Sequence, residues 1–532
     1  MFNVVIEPFI PVTYHGESQP RHISITQLII DAHLIVDVHG PSPVAESGLL
    51  RLLYAFTWRI ATRIAPDLAD IDLACDEPRT WFKVRNDLLE AGRFPPEAID
   101  EYFTASGHCW DLVDNKRPFL QDKRLADDCV SKTTKKVKGQ KQSTTTPVTS
   151  GINKLEFERR SGNNEMLLFS HHTNHNPTPL SLDEGFWAIL SQLNYAAGGK
   201  NTPRVISSGV AKSEAFNAPA RRGISFHPWG KNLYTTLIAG LPAFDDTFGR
   251  PDPHLPFPWE TADVAPVGPQ LEPVWPHSAW TRSWTHAVLL VPDSNRTSFI
   301  DGYLTTAVTK NIKGAPDPYM VWEEKKNDTA PRKMSTGRAL WRELDAVLTV
   351  APRRRQPSVI TDLAKLPSTL RSQFGIRTYA LASDQARNDQ WDSVTFPGLT
   401  HYLEQSDPTA AGRFARTVMI IEQVGRTLER VAYNTWVAIS GNSTRKNESG
   451  SAPWKMLTEP VMAAYWEHAE NLFWSHISTN DDDTVWNAVV RSAFESLASL
   501  LHHHRRTHPG AAALADAWSR LWAEKPRQPK RS

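Results

Sequence analysis

The 532-residue sequence predicts an α+β protein: a large, irregular mixed N-terminal domain followed by a C-terminal four-helix bundle. Three observations predict it. Up to about residue 400, short strand-like runs, turns and helical runs alternate without a fixed period or an internal repeat. Prolines crowd "GRPDPHLPFPWE" and "VAPVGPQLEPVWPHSAW", which excludes long regular elements there. Beyond residue 400, apolar residues recur at three- and four-residue spacing through four successive segments. The expected domains are 1–400 and 401–532, because a chain this long exceeds one ordinary core.

At the start, "NVVIEPFIPVTYHG" alternates like a strand and turns at His-Gly. "SPVAESGLLRLLYAFTWRIATRIAP" then reads as a helix with Leu49, Leu53, Phe56 and Ile60 on its apolar face. Ser47 and the prolines before it are consistent with its start. Residues 127–151, "DDCVSKTTKKVKGQKQSTTTPVTSG", are rich in Lys, Ser and Thr and are expected to be a flexible loop. In the bundle, Phe414, Val418, Ile421, Val424, Leu428 and Val431 form one stripe. Val461, Tyr465, Leu472 and Phe473 mark a second helix, and Val489, Phe494, Leu497 and Leu501 a third. Leu514, Trp518 and Leu521 mark a fourth.

Composition excludes several classes. No apolar run is long enough to span a membrane, and "MFNVVIEPFIPV" lacks the pattern of an export signal, so a cytoplasmic location is expected. Cys75, Cys109 and Cys129 are far apart and support neither a disulfide framework nor a cysteine zinc site. The formal net charge of +1 means that any nucleic-acid contact must be local. Nineteen tryptophans point to broad packed surfaces, and hence to a subunit of something larger.

Few constellations carry chemistry. No paired carboxylates, nucleophile elbow or Cys/His arrangement stands out, so no catalytic residue is assigned. "SHHTNHN" spaces His171 and His175 as a helical metal pair would be, but it lacks the glutamate of H-E-x-x-H, and Pro177 and Pro179 argue against a helix. "LLHHHRRTH" (500–508) reads as cationic groups at a helix C-terminus. "AAGGKN" (196–201) follows the apolar run "EGFWAILSQLNY". It fails the P-loop pattern twice, with Asn194 where the first glycine belongs and Asn201 where a hydroxyl belongs. Helix stop and nucleic-acid contact both remain open for it.

Taken together and in order, several stretches resemble one family. "FNVVIEPFIPV", "FTASGHCWDLVDNKRPFLQ" ending in Pro118, Phe119, Leu120 and Gln121, "PWGKNLYTTLIAGLP", "STGRALWRELDAVL" and the terminal bundle are similar to the CasA-type large subunit of the type I-E CRISPR surveillance complex, Cascade.

That resemblance implies a protein without chemistry of its own. Its partners would be other Cascade subunits, a CRISPR guide RNA, double-stranded target DNA and a helicase-nuclease recruited afterwards. Such a subunit reads the protospacer-adjacent motif (PAM) from the minor groove and opens the duplex beside it. Ala197, Gly198, Gly199, Lys200 and Asn201 match the family's glycine-rich loop along that groove. Asp384, Gln385 and Ala386 match its duplex wedge, and Lys310 and Lys313 are candidates for its lysine finger. His171, His172, Asn174 and His175 correspond to a loop toward the complex and the guide RNA. No cofactor and no structural metal are expected. The alternative from a different class is a metal-assisted nuclease or hydrolase built on the His-rich loop.

Overall fold

A computed structural model describes residues 1–70, 78–137, 140–159, 171–205, 211–261, 272–307, 316–326, 328–384, 387–441 and 452–525. They divide into two compact units, one of residues 1–340 with 350–400 and one of residues 341–349 with 401–532. The architecture is mixed helix and sheet, with helices alone at the C-terminal end, as the sequence predicts.

The first unit is organised around helix α1 (Pro43–Ile64). Its start is Ser42, not Ser47. The Ser42 hydroxyl accepts the Ala45 N–H at 3.4 Å, Pro43 occupies the first turn, and Ser47 lies buried inside the helix. Almost every side chain from Val44 to Ala61 is buried, so this helix is a core element without a solvent face. Trp58 stacks on Trp81 at 5.5 Å and meets Trp275 edge-on at 5.2 Å, while Phe56 meets Trp259 edge-on at 5.0 Å. Each such pair adds about 0.5–1.5 kcal/mol beyond burial. Many tryptophans thus serve the interior, and their number is weaker evidence for an interface than composition suggested.

The rest of this unit contains several small sheets. Strands β1 (Ile10–Tyr14), β2 (Arg21–Ile23) and β3 (Ile35–Val38) form an antiparallel sheet with β1 central. Residues 127–151 carry regular structure instead of an irregular loop: β4 (Val130–Val137) pairs with β5 (Gln140–Pro147) from Val130 opposite Pro147 to Val137 opposite Gln140. The β-branched threonines and valines supply strand propensity that the lysine content hid.

Strand β6 (Leu180–Ser181) leads into helix α2 (Leu182–Tyr195), which opens with a capping box between Ser181 and Glu184. Strands β7 (Gly199–Val205) and β8 (Ala211–Ala215) pair antiparallel, and β9 (Ser225–Trp229) follows. Two-residue strands β10 (Arg250–Pro251) and β11 (Val274–Trp275) pair in parallel. Strands β12 (His286–Pro292) and β13 (Ser298–Thr306) form a hairpin with β6 on the far edge of β13. Strands β14 (Trp322–Lys325), β15 (Asp328–Pro331) and β16 (Arg354–Arg355) make a three-stranded sheet. Finally β17 (Gly375–Asp384) pairs with β18 (Arg387–Phe396) on one side and β9 on the other.

The second unit contains helices α3 (Pro408–Ser440), α4 (Lys455–His476), α5 (Asp482–Leu500) and α6 (His508–Ala523). Helix α3 begins where Asp407 accepts the Ala410 N–H at 2.9 Å and ends at Gly441, whose φ of +69° is the left-handed cap. All six residues of its expected stripe are buried. Arg342 forms a bidentate pair with Glu422 at 2.7 and 2.9 Å while lying over the Trp466 ring at 3.4 Å. Three expected core residues depart from the pattern: Leu472 and Phe494 are only half-buried and Trp518 is 39 % exposed. "LLHHHRRTH" is a connector: α5 ends at Leu500, residues 504–506 form a single 3-10 turn, and Thr507 caps α6.

Candidate nucleic-acid interface

The stretch "AAGGKN" leaves α2 at a point fixed on every side. Tyr195 is fully buried; its hydroxyl donates to Ser47 Oγ at 2.8 Å and its carbonyl accepts from Arg221 Nη1 at 3.1 Å. The Ala196 N–H closes the last helical turn on Gln192 at 3.1 Å, and its carbonyl accepts the Ala218 N–H at 3.0 Å. The helix therefore ends at Ala196, with ordinary negative φ, and the two glycines are not its cap.

They belong to the following hairpin. Gly198 N–H donates to Asn217 Oδ1 at 2.7 Å, and a Cβ there would come within 2.8 Å of the Asn217 backbone nitrogen. Gly199 has φ +116° and open space around it, so backbone geometry, not room, favours glycine. Gly199 and Lys200 are exposed, Ala197, Gly198 and Asn201 are half-buried, and Lys200 stands opposite Glu214 in register. Behind them, at the far end of β7, Arg204 is fully buried. Its Nη2 pairs with Asp122 at 2.7 Å and Asp128 at 2.9 Å, and its Nε donates to Asp128 at 3.0 Å. Burial pushes the Asp122 carboxyl up, but Arg124 and Arg204 together outweigh it and hold it below the usual range.

Lys310 and Lys313 lie outside the described residues, but both ends of their segment are placed. At the near end, Ala307 N–H donates to the Thr285 carbonyl at 2.9 Å. The Thr285 hydroxyl donates to the Phe216 carbonyl at 2.9 Å, and the neighbouring His286 ring donates through Nε2 to the Ala197 carbonyl at 3.2 Å. At the far end, Asp317 pairs at 2.7 Å with Arg51, a buried arginine in the middle of α1.

Strands β17 and β18 pair as far as Asp384 opposite Arg387, and Gln385 and Ala386 lie between them outside the described residues. Leu381, three positions before Asp384, packs in a buried cluster with Val44, Phe157, Tyr195 and Ala220, against which Trp391 also packs. Tyr195 thus anchors both the approach to the hairpin end and the exit to the glycines. Arg377, lower on β17, holds Asp37 of β3 through two bonds of 2.6 and 2.9 Å and lies over the Trp229 ring at 3.6 Å.

In the remaining segment, His171, Asn174 and His175 are exposed and His172 is half-buried, all in irregular backbone. The buried Asn153 donates to the Thr173 carbonyl at 2.9 Å, and Arg159 holds the segment's end through the Pro179 carbonyl at 3.1 Å. His171 and His175 do not share a helix face, and among the described residues no group of three or more His, Cys, Asp or Glu could hold a metal ion. Sequence reading missed Tyr195, Arg204, His286 and Asn153, because none stands in a motif and their partners are distant in the chain.

Two carboxyls near this assembly are perturbed. Burial pushes both Glu46 and Glu156 up to about 7, against the opposing pull of the Gly40 N–H on Glu46 and the Glu158 N–H on Glu156. A raised folded-state value means that the native protein holds a proton the unfolded chain has lost. Their contribution to stability is complete below the unfolded value near 4.3 and is lost as pH rises to about 7. Glu46→Gln is expected to remove part of that slope and to raise stability at pH 8 by about 1–2 kcal/mol, with little gain at pH 4. Urea denaturation of both proteins at the two pH values checks it.

Comparison with known proteins gives this arrangement its relatives. The family model described as CRISPR-associated protein Cse1 matches residues 3–503. The "CRISPR-associated protein CasA/Cse1" of Thermus thermophilus is 24 % identical over 514 residues, covering 92 % of this chain and 90 % of that protein. A chain of a structure described as a CRISPR RNA-guided surveillance complex aligns with a TM-score of 0.79 and 27 % identity, over 98 % of this chain and 99 % of that one. The structure of Thermus thermophilus CasA (Cse1) aligns with a TM-score of 0.68 at 19 % identity, over 98 % and 99 % of the two chains, which is a likeness of fold. With a family model covering nearly its whole length, the chain belongs to the CRISPR-associated protein Cse1 family.

Proposed function

We propose that this chain is the large subunit of a CRISPR RNA-guided surveillance complex. In it the chain reads the PAM of duplex DNA from the minor groove, opens the duplex for guide pairing, and recruits a helicase-nuclease in antiviral defence. It works in the cytoplasm, beside other subunits and the guide RNA, and has no catalytic residues of its own. Guide pairing supplies sequence specificity, which leaves the protein a short motif and a groove shape to read. The degenerate minor-groove pattern suits a tolerant reader.

What supports this reading is how the described residues flanking three candidate contacts are connected. The glycines at 198 and 199 closely follow Tyr195. The hairpin that runs to Asp384 places Leu381 in the same buried cluster as Tyr195. The segment holding Lys310 and Lys313 departs next to His286, which binds Ala197. A glycine backbone can approach base edges closely because no Cβ intervenes. A wedge at the first step past the motif would meet an unstacking cost of about a few kcal/mol. Hybrid formation returns about 1.4 kcal/mol per step, so the wedge lowers the nucleation barrier and leaves the balance to pairing.

The test is reconstitution with guide RNA and partner subunits, measuring binding and strand opening on targets with and without the PAM. Gly199→Val is expected to weaken binding to PAM-bearing duplex by about tenfold or more, within the usual 1–3 kcal/mol for one lost position. Gln385→Ala is expected to spare PAM binding and slow opening. If both variants bind and open like the parent, the assignment is wrong. The alternative, a metal-assisted nuclease using His171 and His175, requires stoichiometric bound metal and cleavage that disappears in His171→Ala.

A further inference from the structure

Two of the bundle residues that fail to enter the core, Phe494 and Trp518, face each other. Their rings meet edge-on at 4.8 Å and wall an open groove of about 340 Å³ between α5 and α6. Its floor is made of small and aliphatic side chains, Ala498, Ala511 and Leu514, and Arg505 stands at the end nearest the connector. Small residues on the floor let another backbone come close, and aromatic walls with an arginine rim are the composition enriched at protein interfaces.

The charge around the groove selects its occupant. From Ser496 to Ala515 the chain has no carboxylate, Glu495 beside Phe494 being the nearest acid on α5, while Arg505, Arg506 and three histidines lie in the exposed connector and His508 opens α6. Asp516, the next acid along α6, is paired with Arg520 at 2.7 Å. The chain's terminal residues 526–532 contribute Arg527, Lys530 and Arg531 without an acid, so they do not complement this rim. A second copy across a two-fold axis would set one basic connector against the other. An apolar floor with aromatic walls fits side chains better than phosphates.

We propose that this groove docks an amphipathic helix of a protein partner. The partner's apolar stripe would lie along the Phe494–Trp518 pair and over Ala498 and Ala511, and its acidic end would meet Arg505 and Arg506. The inference stands independently of the DNA-reading assignment, since it uses no residue of that site.

The test uses the full chain and a fluorescein-labelled helical peptide with leucines at i, i+4 and i+7 and glutamates clustered at one end. A matched peptide carries lysines in place of those glutamates. Ala511 and Arg505 are exposed, so Ala511→Glu and Arg505→Glu are expected to keep the parental Tm. Fluorescence anisotropy should show saturable binding of the glutamate peptide, at least about tenfold weaker binding of the lysine peptide, and a similar loss in each variant. Equal binding of the two peptides, or unchanged binding to Ala511→Glu, overturns the proposal. Displacement of the peptide by a short DNA duplex would assign the groove to nucleic acid. Concentration-dependent dimerisation abolished by Ala511→Glu would assign it to a second copy.

Discussion

Asp317→Ala is expected to destabilise the first unit by about 3–5 kcal/mol, the cost of stranding a buried charge. Arg51 is 2 % exposed, its Nη1 bonds Asp317 at 2.7 Å and the Ala279 carbonyl at 2.8 Å, and its guanidinium lies 5.0 Å from the Tyr319 ring centroid. Arg51 sits inside α1, the helix on which that unit is built, so its charge is left largely out of water when the carboxylate goes. Asp317 also accepts the Tyr319 N–H at 2.9 Å, so the same change frees the chain just after the segment that holds Lys310 and Lys313. Thermal and urea unfolding should show the loss directly. The double variant Arg51→Met, Asp317→Leu removes both charges together and should recover most of the stability, because it leaves no unpaired ion. A single-variant loss below about 1 kcal/mol would mean that the pair is solvated and does not hold the helix.

How much of this was legible in the sequence depends on how far the deciding partner lies along the chain. The bundle's first helix was readable because its stripe, its Asp407-Pro408 start and its Gly441 stop are all local. The strand pair at 130–147 was not, since lysines on a two-stranded ribbon look like a solvated loop when composition is averaged. Ser47 has the residue type of a helix start, yet Ser42 does that job more than a turn earlier. The stripe through Phe494 and Trp518 has core periodicity, yet sequence spacing cannot say whether another helix covers it.

The candidate site divides the same way. Two glycines after an apolar run are visible locally, and so is a polar turn around Gln385. What joins them is not. Leu381 shares a buried cluster with Tyr195, 186 positions away, and His286 reaches Ala197 across 89. A resemblance over the whole chain could name the segments, but only tertiary contacts relate the described residues that flank them, Ala197, Leu381 and Ala307, to one another. The sequence likewise offers no reason to look at Arg204, an arginine in no recognisable motif.

Arg204→Ala is expected to have the second large effect, and a more local one. The side chain ties β7 to Asp122 and to Asp128, the latter two residues before β4, so one buried guanidinium clamps the glycine-bearing hairpin to the base of the β4–β5 hairpin. Removing it leaves Asp128 without this partner and Asp122 with Arg124 alone, at a cost of about 3–5 kcal/mol if the site stays closed. The cheaper response is for β7 and β8 to open, which solvates both acids. Amide hydrogen exchange should therefore accelerate at 199–205 and 211–215 while α1 keeps its protection, a pattern that separates local from global unfolding. In the reconstituted complex the same variant should lose discrimination between targets with and without a PAM, yet keep binding to the partner subunits. Arg204→Lys keeps the charge but cannot span both carboxylates with a planar fork, so it should fall between the two. If exchange at the hairpin is unchanged in Arg204→Ala while target discrimination is lost, the arginine acts on nucleic acid directly and the clamp is not its role.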